Sequence, residues 1–527
     1  MVLLIITKLF FLQIKNGQYY EALALGQQIS FEEVDGERGK IFFSNGEILA
    51  ETKKKILAYI TPDKIEDQER VVEIFGEDII PLLEEGQVFK KEIVEDSITD
   101  LREVKGISID RIMTRSYPQK ETASHVIGFT NEEGQGQYGI EGYFNDELKG
   151  ETGLFSKTKS PFGFLTSFFK EDNDSEKGID IYLTLDQNIQ YFSEKLLKEA
   201  KEKWDFKRAQ IIVMDPKTGQ IIALANYPCF DSNDFSKESF DVFINASIQE
   251  LFEPGSIFKP ITMAAGLEEG LVEPETEYID KGVIEVGGPP IYNFEKRVWG
   301  KQTMTDVLEE SINTGVVFVQ DKLGADKFLE YLERFGFFEK TGIELQGEVS
   351  SQNDNLKQGY KRDIAVASFG QGIEMTSLQF LKAFSAISNG GMLIKPFIVD
   401  KIVSLKGEKI TEIKEIRRVL SERTSSKITA MLVSVIRNGA GRRAQIPGYY
   451  IAGKTGTAQV PLKSGGYSEY ETIQSFIGYF PALDPKALIL VRLDDPKGVI
   501  AASYSAVPIF KDLTKHIIDL WQIPPSY

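Results

Sequence analysis

Hydrophobic and polar positions recur along this chain with two periods, and the switches between them mark the elements. Residues 179–185 alternate with period two, as a strand does, and residues 187–203 repeat at helical spacing. Residues 209–214 and 220–225 are β-rich runs joined by Asp215-Pro216-Lys217-Thr218-Gly219, a turn in which proline presets φ and glycine permits positive φ. From residue 257 to 439 the spacing is mostly helical. Strand-like runs return at 449–460, 472–480 and 487–493, and a final helical stretch covers 507–521. Strands at both ends with helices between predict an α/β domain over 178–527. Its core would be one five-stranded antiparallel sheet, with two strands from the start, three from the end and helices on its faces.

Residues 16–177 read differently, as a mixed α+β domain of short elements. Lys40-Ile41-Phe42-Phe43 followed by Asn45-Gly46 is a hairpin signal. Residues 132–139 carry three glycines and read as a loop, and residues 156–178, with Pro161, Gly163 and a charged run at 170–177, read as a surface loop or domain boundary. Residues 1–14 (MVLLIITKLFFLQI) are apolar except for Thr7, Lys8 and Gln13. A bilayer-spanning helix needs about 20 residues. This stretch is therefore either a buried element or, over 1–15, part of a membrane anchor. No small-residue cleavage site accompanies it.

Composition narrows the function classes. The 527 residues carry a formal charge of −18, which repels phosphate backbones and disfavours a nucleic-acid role. Cys229 is the single cysteine, so no internal disulfide and no cysteine-rich metal site is expected. No cofactor is expected either. Histidine is confined to His125 and His516, so a Ser-His-Asp hydrolase would have to use one of these two.

Three short motifs carry chemistry: Ser256-Ile257-Phe258-Lys259, Ser311-Ile312-Asn313 and Lys454-Thr455-Gly456-Thr457. Each is weak alone, because S-x-x-K recurs at Ser156/Lys159 and Ser167/Lys170, S-x-N at Ser351/Asn353, and K-T-G at Lys217 and Lys340. Context separates the copies. Ser256 follows Glu253-Pro254-Gly255 and precedes an apolar helical run at 261–267, which places it at a helix N-terminus with Lys259 on the same face. An N-cap serine needs no lysine. Backbone N–H groups at that helix end can stabilise developing negative charge. Ser311 lies between helical stretches at 303–310 and 316–323, where the bland reading is a capped helix break. Only Lys454 sits within a strand run, and Gly453 and Gly456 would let a substrate lie along that strand and pair with its edge.

S-x-x-K, a Ser-x-Asn-type motif and K-T-G in this order are the signature of penicillin-binding proteins and related β-lactamases. The resemblance extends over nearly the whole chain. Arg38-Gly39-Lys40-Ile41 with Asn45-Gly46 and Leu49-Ala50, Arg115-Ser116-Tyr117-Pro118, His125-Val126-Ile127-Gly128-Phe129 and Tyr138-Gly139-Ile140-Glu141 resemble sequence blocks of the class B enzymes. So do Leu183-Thr184-Leu185-Asp186 and Ser368-Phe369-Gly370-Gln371-Gly372. Phe43-Ser44 departs from the pattern, where an Asp-Arg pair is usual, and puts a structural ion pair in doubt. No glycosyltransferase-like stretch precedes the motifs, so the bifunctional class A is not expected.

The resemblance implies a β-lactamase/transpeptidase-like domain on an elongated α+β pedestal, and a peptidoglycan D,D-transpeptidase acting through an acyl-serine. Carried over position by position, Ser256 resembles the nucleophile and Lys259 its base. Ser311 would relay a proton to the leaving amine, and Asn313 would hold the acyl-donor peptide. Lys454 would supply positive charge, Thr455 and Thr457 would bind the terminal carboxylate beside Gly456, and the backbone N–H groups of Ser256 and Thr457 would form an oxyanion hole. The residues agree with a lysine base, since a serine hydroxyl needs an adjacent base and both histidines lie outside the motifs. A free lysine titrates near about 10.4, so acting near neutrality costs about 4 kcal/mol, which burial and the charge of Lys454 could supply. Lys454 is expected to remain charged. The alternatives are a D,D-carboxypeptidase or β-lactamase-like hydrolase, and a non-catalytic envelope scaffold. Leu493-Asp494-Asp495-Pro496 before Ala506-Val507-Pro508-Ile509-Phe510, and Phe335-Gly336-Phe337 with Thr341-Gly342-Ile343-Glu344-Leu345, resemble the division type more than the elongation type. Expected partners are peptidoglycan stem peptides, β-lactams as inhibitors and a membrane glycosyltransferase. The expected location is the cytoplasmic membrane, with the catalytic domain outside.

Overall fold

The computed structural model describes residues 2–15, 29–34, 36–101, 104–150, 153–158, 177–461 and 466–527. Its centre is a five-stranded antiparallel sheet built from β1 (Arg208–Met214), β2 (Ile221–Tyr227), β3 (Ala452–Pro461), β4 (Tyr467–Phe480) and β5 (Ala487–Asp494). The order across the sheet is β2-β1-β5-β4-β3, so the two early strands and three late strands do share one sheet. Period-two alternation explains why both faces are apolar. Ile211 and Val213 of β1, with Ile489, Val491 and Leu493 of β5, face one core, packed under α1 (Gln187–Trp204) and the C-terminal α7 (Ala506–Trp521). Ile212 and Met214, with Leu488 and Leu490, face the other core. That side is covered by α2 (Lys259–Glu268), α3 (Met304–Glu309), α4 (Asn313–Leu323), α5 (Ser377–Ser388) and α6 (Glu422–Arg437). The β3 strand ends the sheet, packed against α6 and the turn just ahead of α2.

The stretch from 257 to 439 is less uniformly helical than its spacing predicts. Glu277–Asp280 pairs with Gly300–Thr303, and Met392–Ile394 pairs with Glu415–Arg418. These strands are two to four residues long, too short to establish a period of their own.

The pedestal is organised by a seven-stranded sheet ordered Gly407–Ile410, Val399–Ser404, Asp180–Leu183, Ile41–Phe42, Ile48–Ile60 and Phe89–Ile93, with Ile107–Ser116 also paired to Ile48–Ile60. The Asn45-Gly46 hairpin therefore forms, with Gly46 at φ +86°. Three strands of this sheet lie after residue 177, two of them from the middle of the catalytic region. Pairing, not chain order, joins the two parts. The long strand Ile48–Ile60 reaches out to a small separate core around Ala58, Val71, Ile79 and Leu101.

One loop reading needs correction. Residues 156–158 end the strand Gly153–Thr158, paired antiparallel with Ile29–Val34, while residues 159–176 lie outside the described residues. Ser156 is thus in a strand opposite Phe31, and Lys159, Ser167 and Lys170 are not described. Phe43, which with Ser44 stands where the resembled pattern usually has an Asp-Arg pair, is fully buried in the main core. A different ion cluster joins the resembling blocks. Glu141, fully buried, accepts from Arg38 Nε at 2.6 Å, Arg115 Nε at 2.6 Å and the Tyr117 hydroxyl at 3.3 Å.

Candidate active site

Ser256 sits in a 3-10 turn, Gly255–Phe258, directly ahead of α2, rather than at the α-helical start itself. Close packing sets this turn. Gly255 has φ +58°, and a Cβ there would lie 2.8 Å from Ala458 Cβ on β3. The Gly255 N–H donates to Gly370 O at 2.8 Å, and the Thr262 hydroxyl donates to Ser368 O at 2.7 Å. The Ser368–Gly372 block is therefore the floor under the nucleophile turn. Pro260 follows in the first helical turn, where its missing N–H costs nothing. Ser256 is half-buried, and Lys259, three residues on, is fully buried.

Ser311 occupies the break between α3 and α4. Its φ of +57° is unfavourable for a residue with a Cβ. Such outliers mark places where the surroundings dictate the backbone. Here the result is that both lysines reach one hydroxyl. Lys259 Nζ donates to Ser311 Oγ at 3.1 Å and also to the Ser311 carbonyl, while Lys454 Nζ donates to Ser311 Oγ at 2.9 Å and to Thr455 O at 3.1 Å. Asn313 opens α4, half-buried, and its Nδ2 donates to Tyr292 O at 2.9 Å.

Lys454, Thr455, Gly456 and Thr457 lie on the edge strand β3, and the turn carrying Ser256 packs against it. Thr455 is buried, and the half-exposed Thr457 accepts from Ala502 N at 3.3 Å. The two glycines serve packing more than access. A Cβ on Gly456 would stand 2.5 Å from Ser475 Oγ and 3.0 Å from Ile257 Cγ2, and one on Gly453 would stand 2.7 Å from Phe476 Cζ. Their missing side chains seat the nucleophile turn and the neighbouring strand, and the free strand edge is what remains for a peptide.

Two ammonium groups in one buried site shape its electrostatics. Burial, reinforced by the charge of Lys454, holds Lys259 well below the usual lysine value. Burial also pushes Lys454 down to about 7, lower than the permanently charged role expected of it. A carboxylate bound beside Lys454 would oppose that shift. Among the described residues no carboxylate pairs with either lysine, and no group of three His, Cys, Asp or Glu side chains is placed to hold a metal ion.

Residues 209–515 match the family model for the penicillin-binding protein transpeptidase domain, and residues 33–183 match that for the penicillin-binding protein dimerisation domain. The chain belongs to the penicillin-binding protein transpeptidase family. Stage V sporulation protein D of Bacillus subtilis (strain 168) is 33% identical over 94% of this chain and 80% of its own length. A peptidoglycan D,D-transpeptidase FtsI homolog of Mesostigma viride is 30% identical over 81% of this chain and 76% of its own. The crystal structure of penicillin-binding protein 3 from Mycobacterium tuberculosis, complexed with aztreonam, superposes with a TM-score of 0.76 at 26% identity, covering 94% of this chain and 98% of that one.

The other motif copies in this penicillin-binding protein are placed elsewhere. Lys217 lies in the β1–β2 turn and pairs with Asp484, Lys340 follows a helix exit, and Asn353 caps a short helix. His125 is buried against Val242 O at 2.8 Å, where burial lowers it to about 4, and His516 stacks on Phe192 with centroids 4.0 Å apart. Sequence reasoning missed the polar cluster behind Asn313, formed by Asp280, Asn293, Thr314 and Tyr278. Thr314, adjacent to Asn313, was the only local signal. It also missed Ser475, which meets the nucleophile turn only through the register Gly456↔Ser475.

Proposed function

We propose that this penicillin-binding protein is a peptidoglycan D,D-transpeptidase that cross-links stem peptides at the division septum. One observation carries the chemistry: two buried lysines converge on the Ser311 hydroxyl, and one of them, Lys259, lies three residues after Ser256. Ser256 Oγ attacks the carbonyl of the penultimate D-alanine while a neutral Lys259 takes its proton. The Cα-bound amine of the terminal D-alanine leaves, receiving a proton passed through Ser311 from the lysine pair. An ester on Ser256 remains. The amino group of a second stem peptide then attacks that ester, its proton returns by the same relay, and the peptide bond forms as Ser256 is released. Backbone N–H groups of Ser256 and Thr457 would face the oxyanion. Lys454, Thr455 and Thr457 would take the terminal carboxylate, Gly456 would keep the strand close, and Asn313 would hold the donor amide. A β-lactam would acylate Ser256 by the same first step.

Burial that lowers the Lys259 pKa supports a lysine base, and the position of both histidines outside the site leaves no competitor there. The test is labelling by a fluorescent penicillin followed by mass spectrometry. The adduct is expected on Ser256 and absent from a folded Ser256→Ala variant. An adduct on any other serine would reject the assignment. Production of cross-linked dimers from purified stem-peptide polymer separates a transpeptidase from a hydrolase, which would release D-alanine without dimers.

The septal role rests on the FtsI homolog of Mesostigma viride and on the division-type segments of the sequence. The similarity to a sporulation protein of Bacillus subtilis supplies the competing outcome. Depletion in the source cell should block septation, whereas a defect confined to spore formation would move the role to that stage. Residues 2–15 form an apolar helical segment, Val2–Phe10 continued by Phe11–Lys15, and no helix among the described residues is long and apolar enough to cross a membrane. We read this segment as part of an anchor that holds the catalytic domain outside the cytoplasmic membrane, beside a glycosyltransferase that supplies glycan strands. A reporter fused after Tyr527 should be active only outside the cytoplasm. Cytoplasmic activity would reject that location.

A further inference from the structure

Behind the Ser311-Ile312-Asn313 segment lies a buried carboxylate that neither the motifs nor the chemistry above uses. Asp280, 2% exposed, ends the strand Glu277–Asp280 at the point where the chain leaves to form residues 281–299. Its Oδ1 accepts from the Gly282 N–H at 3.0 Å, from Asn293 Nδ2 at 3.0 Å and from the Thr314 hydroxyl at 2.5 Å, and its Oδ2 accepts from Asn293 Nδ2 at 3.0 Å and the Trp299 N–H at 2.8 Å. These donors come from four residues, three within 281–299 and one in α4. Two hold the base of the 281–299 excursion closed. The others tie that excursion to the first turn of α4.

The tie continues to Asn313 by two routes. Asn293 Oδ1 accepts from the Thr314 N–H at 3.1 Å, which fixes the peptide unit directly after Asn313. Tyr292, adjacent to Asn293, offers its carbonyl to Asn313 Nδ2 at 2.9 Å. Because the Thr314 proton points to Asp280, the Tyr278 hydroxyl, 3.3 Å from Thr314 Oγ1, is the donor to it. A carboxylate that accepts this many hydrogen bonds is held in one orientation, and each donor in turn is held by it. Asn313 is half-buried at the start of α4, with its side chain bonded to a backbone carbonyl next to Asn293, which Asp280 holds. Nothing else among the hydrogen bonds of the described residues joins the side chain of Asn313 to the fold.

We infer that Asp280 is a positioning residue for acylation: acting through Asn293 and Thr314, it sets the place and orientation of the Asn313 amide against the acyl-donor peptide. This rests on the reading of Asn313 as the group that holds the donor amide. The role is in acyl-donor selection, not in proton transfer, because Asp280 touches neither lysine.

The experiment compares acylation by benzylpenicillin, which carries an acylamino side chain, with acylation by 6-aminopenicillanic acid, which lacks it. Asn313→Ala should slow the first more than the second. Asp280→Asn should reproduce that selective loss, about 10- to 100-fold for benzylpenicillin, with an unchanged pH profile. The double variant Asp280→Asn/Asn313→Ala should be no slower than Asn313→Ala alone, the coupling expected of residues that act as one unit. If Asp280→Asn does not fold, Thr314→Val and Thr314→Ser make the same comparison: the valine should show the selective loss and the serine, which keeps the hydroxyl, should restore the parental ratio. Equal losses on both substrates, no loss, or losses that multiply in the double variant overturn the role of Asp280 while Asn313 keeps its own. A benzylpenicillin rate unaffected by Asn313→Ala overturns the reading of Asn313, and this inference with it.

Discussion

The pedestal and the cleft both bury charge, and they do so in opposite ways. In the pedestal, Glu141 is enclosed between Arg38 and Arg115 with a tyrosine hydroxyl on the same oxygen as Arg115, and further contacts run from Arg38 to the Glu141 and Asn145 carbonyls. In the cleft, Lys259 and Lys454 are equally buried but meet a hydroxyl and carbonyls, with no anion. A paired buried charge stays charged and locks geometry. An unpaired one becomes easier to neutralise, and that is the property a general base requires. The same physical cost of desolvation makes a brace in one region and a reactive group in the other.

The strongest way to break this comparison is to forbid neutralisation. Arginine keeps its proton in a protein, so Lys259→Arg should lower the rate of penicillin acylation about 10³- to 10⁴-fold, in the upper range for loss of a general base. Lys454→Arg, which retains positive charge where a carboxylate would bind, should be milder. Stopped-flow acylation of both variants across pH decides it. Parental acylation by Lys259→Arg would remove Lys259 from the base role. The pedestal brace should respond in stability instead. Glu141→Ala leaves two buried guanidinium groups without their anion and should destabilise by about 3–5 kcal/mol, read as a lowered urea midpoint, while the folded fraction still acylates at the parental rate.

The unpaired lysines also predict a pH dependence. Lys454 titrates near about 10.4 when unfolded and near about 7 in the fold. Between these values the unfolded chain holds more protons, so stability rises with pH across that window and is flat below it with respect to this group. Lys259, shifted the same way, adds to the trend. Replacing Lys454 by methionine should flatten the rise between about pH 7 and about pH 10, with a difference between the curves of about 4 kcal/mol. Equal slopes in chemical denaturation would mean that Lys454 keeps its proton in the fold. The smallest effect belongs to an exposed pair. Lys55 and Glu92, 2.7 Å apart on the pedestal surface, are solvated on both sides. Glu92→Gln should shift stability by less than about 1 kcal/mol, and less still in high salt.

Much of the fold was readable from local pattern. The two faces of the central sheet follow from alternation within residues 209–214 and 487–493, and α7 follows from its helical repeat, because a strand or helix is dictated by residues within a few positions of one another. The pairing of Ser256 with Lys259 is local in the same sense, three positions apart at a helix entry. By themselves the residues also excluded histidine chemistry from the motif segments and named the lysines that could replace it. What the chain could not decide locally was which of several similar segments meet. Lys217, Lys340 and Lys454 each begin Lys-Thr-Gly, and only the placement of β3 at the sheet edge, against the turn ahead of α2, brings one of them to Ser311. The left-handed backbone of Ser311, the seating of Gly456 against Ser475, the strand Val399–Ser404 that leaves the helical region to complete the pedestal sheet, and the grip of Asp280 on the Asn313 segment are all contacts between residues far apart in sequence. Periodicity records which face of an element is buried. It carries no information about the partner that buries it, and the burial that turns two lysines into titrating groups exists only when those partners have come together.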